Sequence, residues 1–116
     1  YVNAGHNLPL HYVSANKTVQ SLQQRNHILG VMNDPSYQES SITIAQGDKL
    51  FLYTDGLVDI RMETGHSLGE QPIVSLLSKN AALSGELIIE KISQLVESSE
   101  HEDIPDDITA VCISIE

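Results

Sequence analysis

The sequence predicts an α+β layered domain, and three textures point to it: short strand-like stretches up to residue 54, two successive segments of helical periodicity, and one returning apolar strand at the end. A length of 116 residues suits one domain or part of one. With 41% hydrophobic and 19% charged residues, the chain has the balance of a folded core and not of a disordered tail.

The first β-segments are Tyr1 to Ala4 and Leu8 to Val13, set around Gly5-His6-Asn7 and closed by turn formers at Asn16 and Lys17. From Gln38 to Ala45, Ile42 and Ile44 alternate with Glu39, Ser41 and Thr43, and Gln46-Gly47-Asp48 then turns the chain into Lys49 to Thr54. That pattern predicts an antiparallel hairpin. Its second arm, Leu50-Phe51-Leu52-Tyr53, is apolar on both faces and belongs in a covered sheet.

Between Gln71 and Leu83 the residues Ile73, Leu76, Leu77 and Ala81 recur at helical spacing, with Pro72 suited to a first turn. A second helix starts at Ser84, a capping residue. Glu86 and Glu90 favour its positive end, and Leu87, Ile88, Ile92, Leu95 and Val96 form one stripe. An acidic loop from Glu97 to Asp107 leads into Ile108 to Ile115, β-branched and nearly all apolar, which reads as a central strand.

Composition narrows the partners. The net charge is −10, from 16 acidic and 6 basic residues, so the clustered cations of a nucleic-acid footprint are missing. The single Cys112, among apolar neighbours, forms no internal disulfide and reads as a buried thiol; a cytoplasmic setting is expected. No apolar run is long enough to span a bilayer, and Tyr1 to Leu10 lacks the pattern of a secretory leader. There is no initiator Met and Tyr1-Val2-Asn3-Ala4 reads as a strand already under way, so a piece of a longer chain is expected.

Two acidic motifs lie at strand ends. Asp55 follows Lys49 to Thr54, and Asp106 precedes Ile108 to Ile115. If those strands are antiparallel neighbours, the carboxylates meet and could hold a hard divalent cation that keeps part of its water, with Gly56 permitting a close backbone approach. Taken singly, Asp55-Gly56 is a common turn dipeptide and Asp106-Asp107 a common solvated loop.

The string Leu52-Tyr53-Thr54-Asp55-Gly56-Leu57, followed at a distance by Asp106-Asp107-Ile108-Thr109, resembles two signature motifs of the PPM metal-dependent protein phosphatases. The branch typified by bacterial sporulation and sigma-factor regulators is the most similar. Asn3-Ala4-Gly5-His6, Leu29-Gly30-Val31 and Leu68-Gly69 fall in that family's order, so the resemblance covers essentially residues 1–116. Two departures are Leu68, where the family commonly has an aromatic, and Val58-Asp59, where it has a polar pair.

The resemblance implies an antiparallel β-sandwich flanked by helices, of which this chain is a C-terminal portion. It also implies a centre of two Mn²⁺ or Mg²⁺ ions and direct attack of water on the phosphoryl group, without a phosphoenzyme. Asp55 and Asp106 carry over as metal ligands; Gly56, Asp107 and Thr109 carry over as supports. The family's first acidic motif, an Asp followed shortly by Gly-His-Gly, belongs upstream of Tyr1, so half of the metal cage is expected elsewhere and this portion alone is expected to be inactive. The substrate implied is phosphoserine or phosphothreonine on a regulatory protein of the anti-sigma-factor-antagonist type, under a sensor or receiver domain. The rival expectation is an inactive phosphatase-like adaptor or response-regulator output domain. A purely structural β-rich module is a third. Strands without their cover also predict either the upstream half nearby or pairing with another copy, as in a homodimer.

Other residues carry less. His6, His11, His27, His66 and His101 show no ligand spacing; His6 is expected to fix a turn. Glu97, Glu100, Glu102 and Asp103 read as a solvated acidic loop. Arg25 and Arg61 could meet a substrate phosphate, with Arg61 favoured by its place shortly after Asp55.

Overall fold

The computed structural model describes residues 1–34, 36–99 and 101–116. In chain order they form β1 (Leu10–Val13), β2 (Thr18–Ser21), β3 (Lys49–Tyr53), α1 (Asp55–Val58), β4 (Arg61–Met62), α2 (Gln71–Lys79), α3 (Gly85–Ser98), β5 (His101–Asp103) and β6 (Ala110–Ser114). Four strands make one antiparallel sheet in the order β2-β1-β3-β6, while β4 and β5 form a separate ribbon. The α+β class holds.

Alternation along β3 divides the sheet into two unlike faces. Lys49, Phe51 and Tyr53 are buried, and the latter two pack with Leu10, Leu57, Ile60 and the inward residues of the helices, Ile73 and Leu77 of α2 and Ile88 and Ile92 of α3. Each helical pair is four apart, which puts both members on one face. The Phe51 and Tyr53 rings stack with centroids 5.8 Å apart. Leu50 and Leu52 point to the other face, where Val111 and Ile113 of the neighbouring β6 remain 49% and 45% exposed.

Helix α3 begins as expected: the Ser84 hydroxyl accepts a hydrogen bond from the Leu87 N–H at 3.3 Å, satisfying a donor that has no partner inside the helix. Replacing Ser84 by Ala should lower stability by about 1 kcal/mol, measured by thermal or urea unfolding. Helix α2 ends at Lys79, short of the expected Leu83: Asn80 leaves the helical conformation, its N–H closing the last i→i−4 bond to the Leu76 carbonyl and its side-chain amide donating to the same oxygen.

Several expectations are corrected. Residues 38–45 are irregular and not a hairpin arm, although the turn at Gln46-Gly47 is present. Both edges of β3 are already taken, by β1 and β6, so a further partner has no place there. Tyr1 to Ala4 is not a strand; Tyr1 only exchanges two backbone hydrogen bonds with Ser40, at 2.6 and 2.9 Å. The strand expected from Leu8 starts at Leu10. Its polar partner β2 was not foreseen, because four residues reading Thr-Val-Gln-Ser carry little apolar signal. β6 is an edge strand of this sheet and not a central one. The acidic loop is shorter than expected: Glu97 lies in α3, and Glu102 and Asp103 lie in β5, while Glu100 is outside the described residues.

Asp48 anchors the turn that launches β3. Its carboxylate accepts from the Ser14 N–H at 2.8 Å, the Ala45 N–H at 3.0 Å and His11 Nε2 at 2.9 Å, and both Asp48 and His11 are 2% exposed. The Ser14 N–H above all, then those of Ala45 and His11, hold the carboxyl well below the usual carboxylate range against the opposing effect of burial. A depressed native pKa gives stability that is present above the ordinary value of 3.8 and is lost as pH falls below it. Asp48→Ala should therefore cost about 1–3 kcal/mol at pH 7 by orphaning buried donors. In urea unfolding, the gap between variant and parent should narrow as the pH is taken below 3.8.

Candidate metal centre

Antiparallel pairing of β3 with β6, which ends on Tyr53 opposite Ala110, brings the two acidic motifs to the same end of the sheet. Thr54 joins them. Its N–H donates to the Thr109 carbonyl at 3.0 Å; its hydroxyl donates to the Asp107 carbonyl at 3.0 Å and accepts from the Thr109 N–H at 2.9 Å. Gly56 sets how close the loops come: a Cβ there would collide with the Asp107 carbonyl oxygen and reach 2.9 Å from that of Asp106. No side chain fits between them.

Asp55 is the first residue of α1, where a carboxylate suits the positive end of the helix, and its Oδ1 accepts the Gly56 N–H at 3.1 Å. Asp106 Oδ1 likewise accepts the Asp107 N–H at 2.7 Å. Both side chains are exposed, and each is oriented through one oxygen while the other has no hydrogen bond among the described residues.

The facing wall is organised by Asn3, which is 5% exposed. Its Oδ1 accepts from the N–H groups of Gly5 and His6 at 3.1 and 2.9 Å, and its Nδ2 donates to the His6 carbonyl at 3.0 Å. This side-chain turn replaces the strand expected over Tyr1 to Ala4, since local side-chain bonding competes with a ladder. It places Gly5, His6 and Asn7 beside Thr54 and Asp55 around a cavity of ≈ 150 Å³. Gly5 is left-handed at φ 97°, and a Cβ would come within 2.6 Å of Ile28, which packs behind it.

A second cavity of ≈ 350 Å³ shares Asn7 with the first and is lined also by Arg25, Tyr53, Asp59 and Glu70. Within it the Tyr53 hydroxyl donates to Glu70 Oε2 at 2.6 Å. Burial, and then the Glu70 carboxylate, push the Tyr53 hydroxyl far above its ordinary value, so it stays a neutral donor. Burial also pushes the Cys112 thiol up, partly offset by Lys49; this half-buried thiol lies on β6 facing the helices.

Of the residues singled out from the sequence, Asp55, Gly56, Asp106, Asp107 and Thr109 are brought together. Asp107 and Thr109 take part through their backbone groups. Arg61 is exposed on β4, opposite Asp103 in the ribbon and bridged to Ser67, and does not line the two cavities beside Asp55. His11 pairs with Asp48, and the His6 ring contacts the Asn7 carbonyl at 2.9 Å. Leu29 and Val31 flank a left-handed Gly30 and are 70% and 72% exposed. Asn3 and Thr54, within the Asn3-Ala4-Gly5-His6 and Leu52-to-Leu57 strings, organise the site through their side chains, a role that residue type alone does not signal.

A hard divalent cation fits the donors present. Two exposed carboxylates on touching loops, each with an oxygen to spare, make a partial set for an ion that retains water. Among the described residues no group of three or more His, Cys, Asp and Glu could hold a metal ion.

Comparison with known proteins bears on the family and the fold. The family model for Stage II sporulation protein E (SpoIIE) matches residues 1–116. The chain is 23% identical over 113 residues to phosphoserine phosphatase RsbU of Bacillus subtilis, covering 97% of this chain and 33% of that protein. It is 26% identical to protein IcfG of Synechocystis over 97% of this chain and 18% of that one. It therefore spans a third or less of these curated relatives. Among solved structures, the PP2C domain of SiaA from Pseudomonas aeruginosa superposes with a TM-score of 0.74 at 23% identity, over 93% of this chain and 43% of that one. The RsbU and RsbW domains of Rv1364c from Mycobacterium tuberculosis give 0.69 at 22%, over 97% and 30%. These likenesses place the fold among PP2C domains, and with the family model matching residues 1–116 the chain belongs to the SpoIIE family.

Proposed function

We propose that residues 1–116 are the C-terminal half of a PPM phosphatase domain which, when complete, hydrolyses phosphoserine or phosphothreonine on a regulatory protein of the anti-sigma-factor-antagonist type. The observation that carries this reading is the contact of the Asp55-Gly56 and Asp106-Asp107 loops, closed to a distance only glycine permits. In the reaction the ester P–O bond breaks, water supplies the new P–O bond, and the serine or threonine oxygen leaves with a proton as inorganic phosphate is released. Mn²⁺ or Mg²⁺, when bound, supplies Lewis-acid stabilisation of the phosphoryl charge and acidifies water. Asp55 and Asp106 hold the ions in part, Thr54 and Gly56 fix the spacing of their loops, and Asn3 shapes the opposite wall.

The other ligands come from an upstream half, and a regulatory sensor or receiver domain supplies the input. The open sheet face supports an upstream partner: Tyr1, Ile42, Ile44, Leu50, Leu52 and Ile113 line an apolar groove of ≈ 360 Å³ that suits a second sheet. Among the described residues no helix is long and apolar enough to cross a membrane.

The test is phosphate release from a phosphoserine protein by the full-length protein. Turnover is expected with Mn²⁺ or Mg²⁺, loss on chelation, and none from residues 1–116 alone. Partner binding with no turnover under any metal would instead establish the inactive adaptor.

A further inference from the structure

The cavity beside Asp55 adjoins the second cavity at Asn7, and Arg25, which lines the second, also lines a third of ≈ 410 Å³, shared with Asn26, His27, Ser36 and Gln38. The shared residues Asn7 and Arg25 set the three side by side as a groove of adjoining hollows. Among the described residues Arg25 is the only Lys or Arg lining any of them.

Its backbone is held on both sides. Gln24 Oε1 accepts the Asn3 N–H at 3.0 Å; the Asn26 N–H donates to the Asn3 carbonyl at 2.8 Å, and Asn26 exchanges two more hydrogen bonds with the Gln38 backbone, at 2.8 and 3.0 Å. Gln24 and Asn26 thus turn inward, and the residue between them turns out: Arg25 is exposed. Asn3 is common to this clamp and to the turn that places His6 and Asn7, so the Arg25 backbone is tied to the wall that faces Asp55. Among the described residues the one ion pair is His11 with Asp48, which leaves Arg25 without a carboxylate although Asp59 and Glu70 line the same cavity.

We propose that Arg25 is a specificity-determining residue that takes an Asp or Glu side chain of the phosphoprotein substrate, a few residues from its phosphoserine, as the substrate segment lies along this groove. Arg25 does not line the cavity beside Asp55 itself, and the fork of donors on its guanidinium matches a carboxylate. The carboxylates of Asp59 and Glu70, which line the second cavity with Arg25, ask for a neutral or basic residue in the intervening segment. This assignment rests on the phosphatase reading for its substrate, but its test does not depend on turnover.

The test uses the full-length protein with Mn²⁺ and phosphoserine peptides that differ only in carrying Glu or Lys at one position two to five residues from the phosphoserine. Phosphate release and binding by fluorescence anisotropy are both measured. At one position the parent should favour Glu over Lys by about five-fold, expressed in KM and Kd more than in kcat. Arg25→Ala should level that preference, Arg25→Glu should reverse it, and Arg25→Lys should keep part of it. A preference unchanged in Arg25→Ala, or absent from the parent at every position, would overturn the proposal. Failure of the phosphatase reading shows separately, as binding preference without phosphate release.

Discussion

In the full-length protein, Asp55→Ala and Asp106→Ala should each lower phosphate release from a phosphoserine protein by at least about 100-fold, because the divalent centre supplies several kcal/mol of charge stabilisation and each 1.36 kcal/mol is a factor of ten. Both side chains are exposed, and among the described residues each has only one hydrogen bond, from its neighbour's N–H. Folding should therefore change little, and unfolding curves should nearly overlay those of the parent. Raising Mn²⁺ should recover part of the activity if the remaining ligands still bind a metal weakly. The pair of results, activity lost with stability kept, separates a ligand role from a structural one.

Gly56→Ala should have the opposite signature. The added methyl meets the backbone carbonyls of Asp106 and Asp107, atoms that move only if the loop moves. Overpacking of this kind costs about 1–3 kcal/mol. Separating the loops by even about 1 Å would cost on the order of 100-fold in turnover, since catalytic geometry tolerates little displacement. Urea unfolding and phosphate release measured on one preparation should fall together. An alanine variant with parental stability and rate would show that the loops do not need this approach.

The parts of the fold legible in the sequence were those written in periodicity. Ile73 and Leu77, and Ile88 and Ile92, announce their helices and the buried face of each, and Ser84 marks a start that the hydrogen bond to the Leu87 N–H bears out. Leu50 to Tyr53, apolar on both faces, reads as a strand of a covered sheet; it is an interior strand with the Phe51 and Tyr53 face buried under the helices, while the Leu50 and Leu52 face is open in this chain. Where the reading went astray, side chains decide the backbone. Asn3 bends Tyr1 to His6 out of a ladder, and Asp48 closes its turn with three hydrogen bonds that no alternation reveals. Residues 38–45 alternate like a strand, yet β3 has no free edge to offer them.

The site followed the same division. That Asp55 and Asp106 share one end of the sheet depends only on β3 and β6 being antiparallel neighbours, and the pairing of Tyr53 with Ala110 makes them so. Arg25 and Arg61 could not be ranked by distance along the chain. Arg61 is six residues after Asp55 but lies in the β4–β5 ribbon, whereas Arg25, thirty residues before it, is returned to the groove by the Asn3 clamp. Apolar residues on β6 point to a covered strand, yet Val111 and Ile113 stand half exposed at the edge of this sheet. That excess marks the face proposed for the upstream sheet.

The account turns on Asp55 and Asp106 being metal ligands, and anomalous diffraction at the manganese edge from crystals of the full-length protein grown with Mn²⁺ examines this directly. The account predicts a peak within about 2.0–2.6 Å of a carboxylate oxygen of each residue. Manganese bound elsewhere in the domain, with neither carboxylate in its coordination sphere, would contradict it.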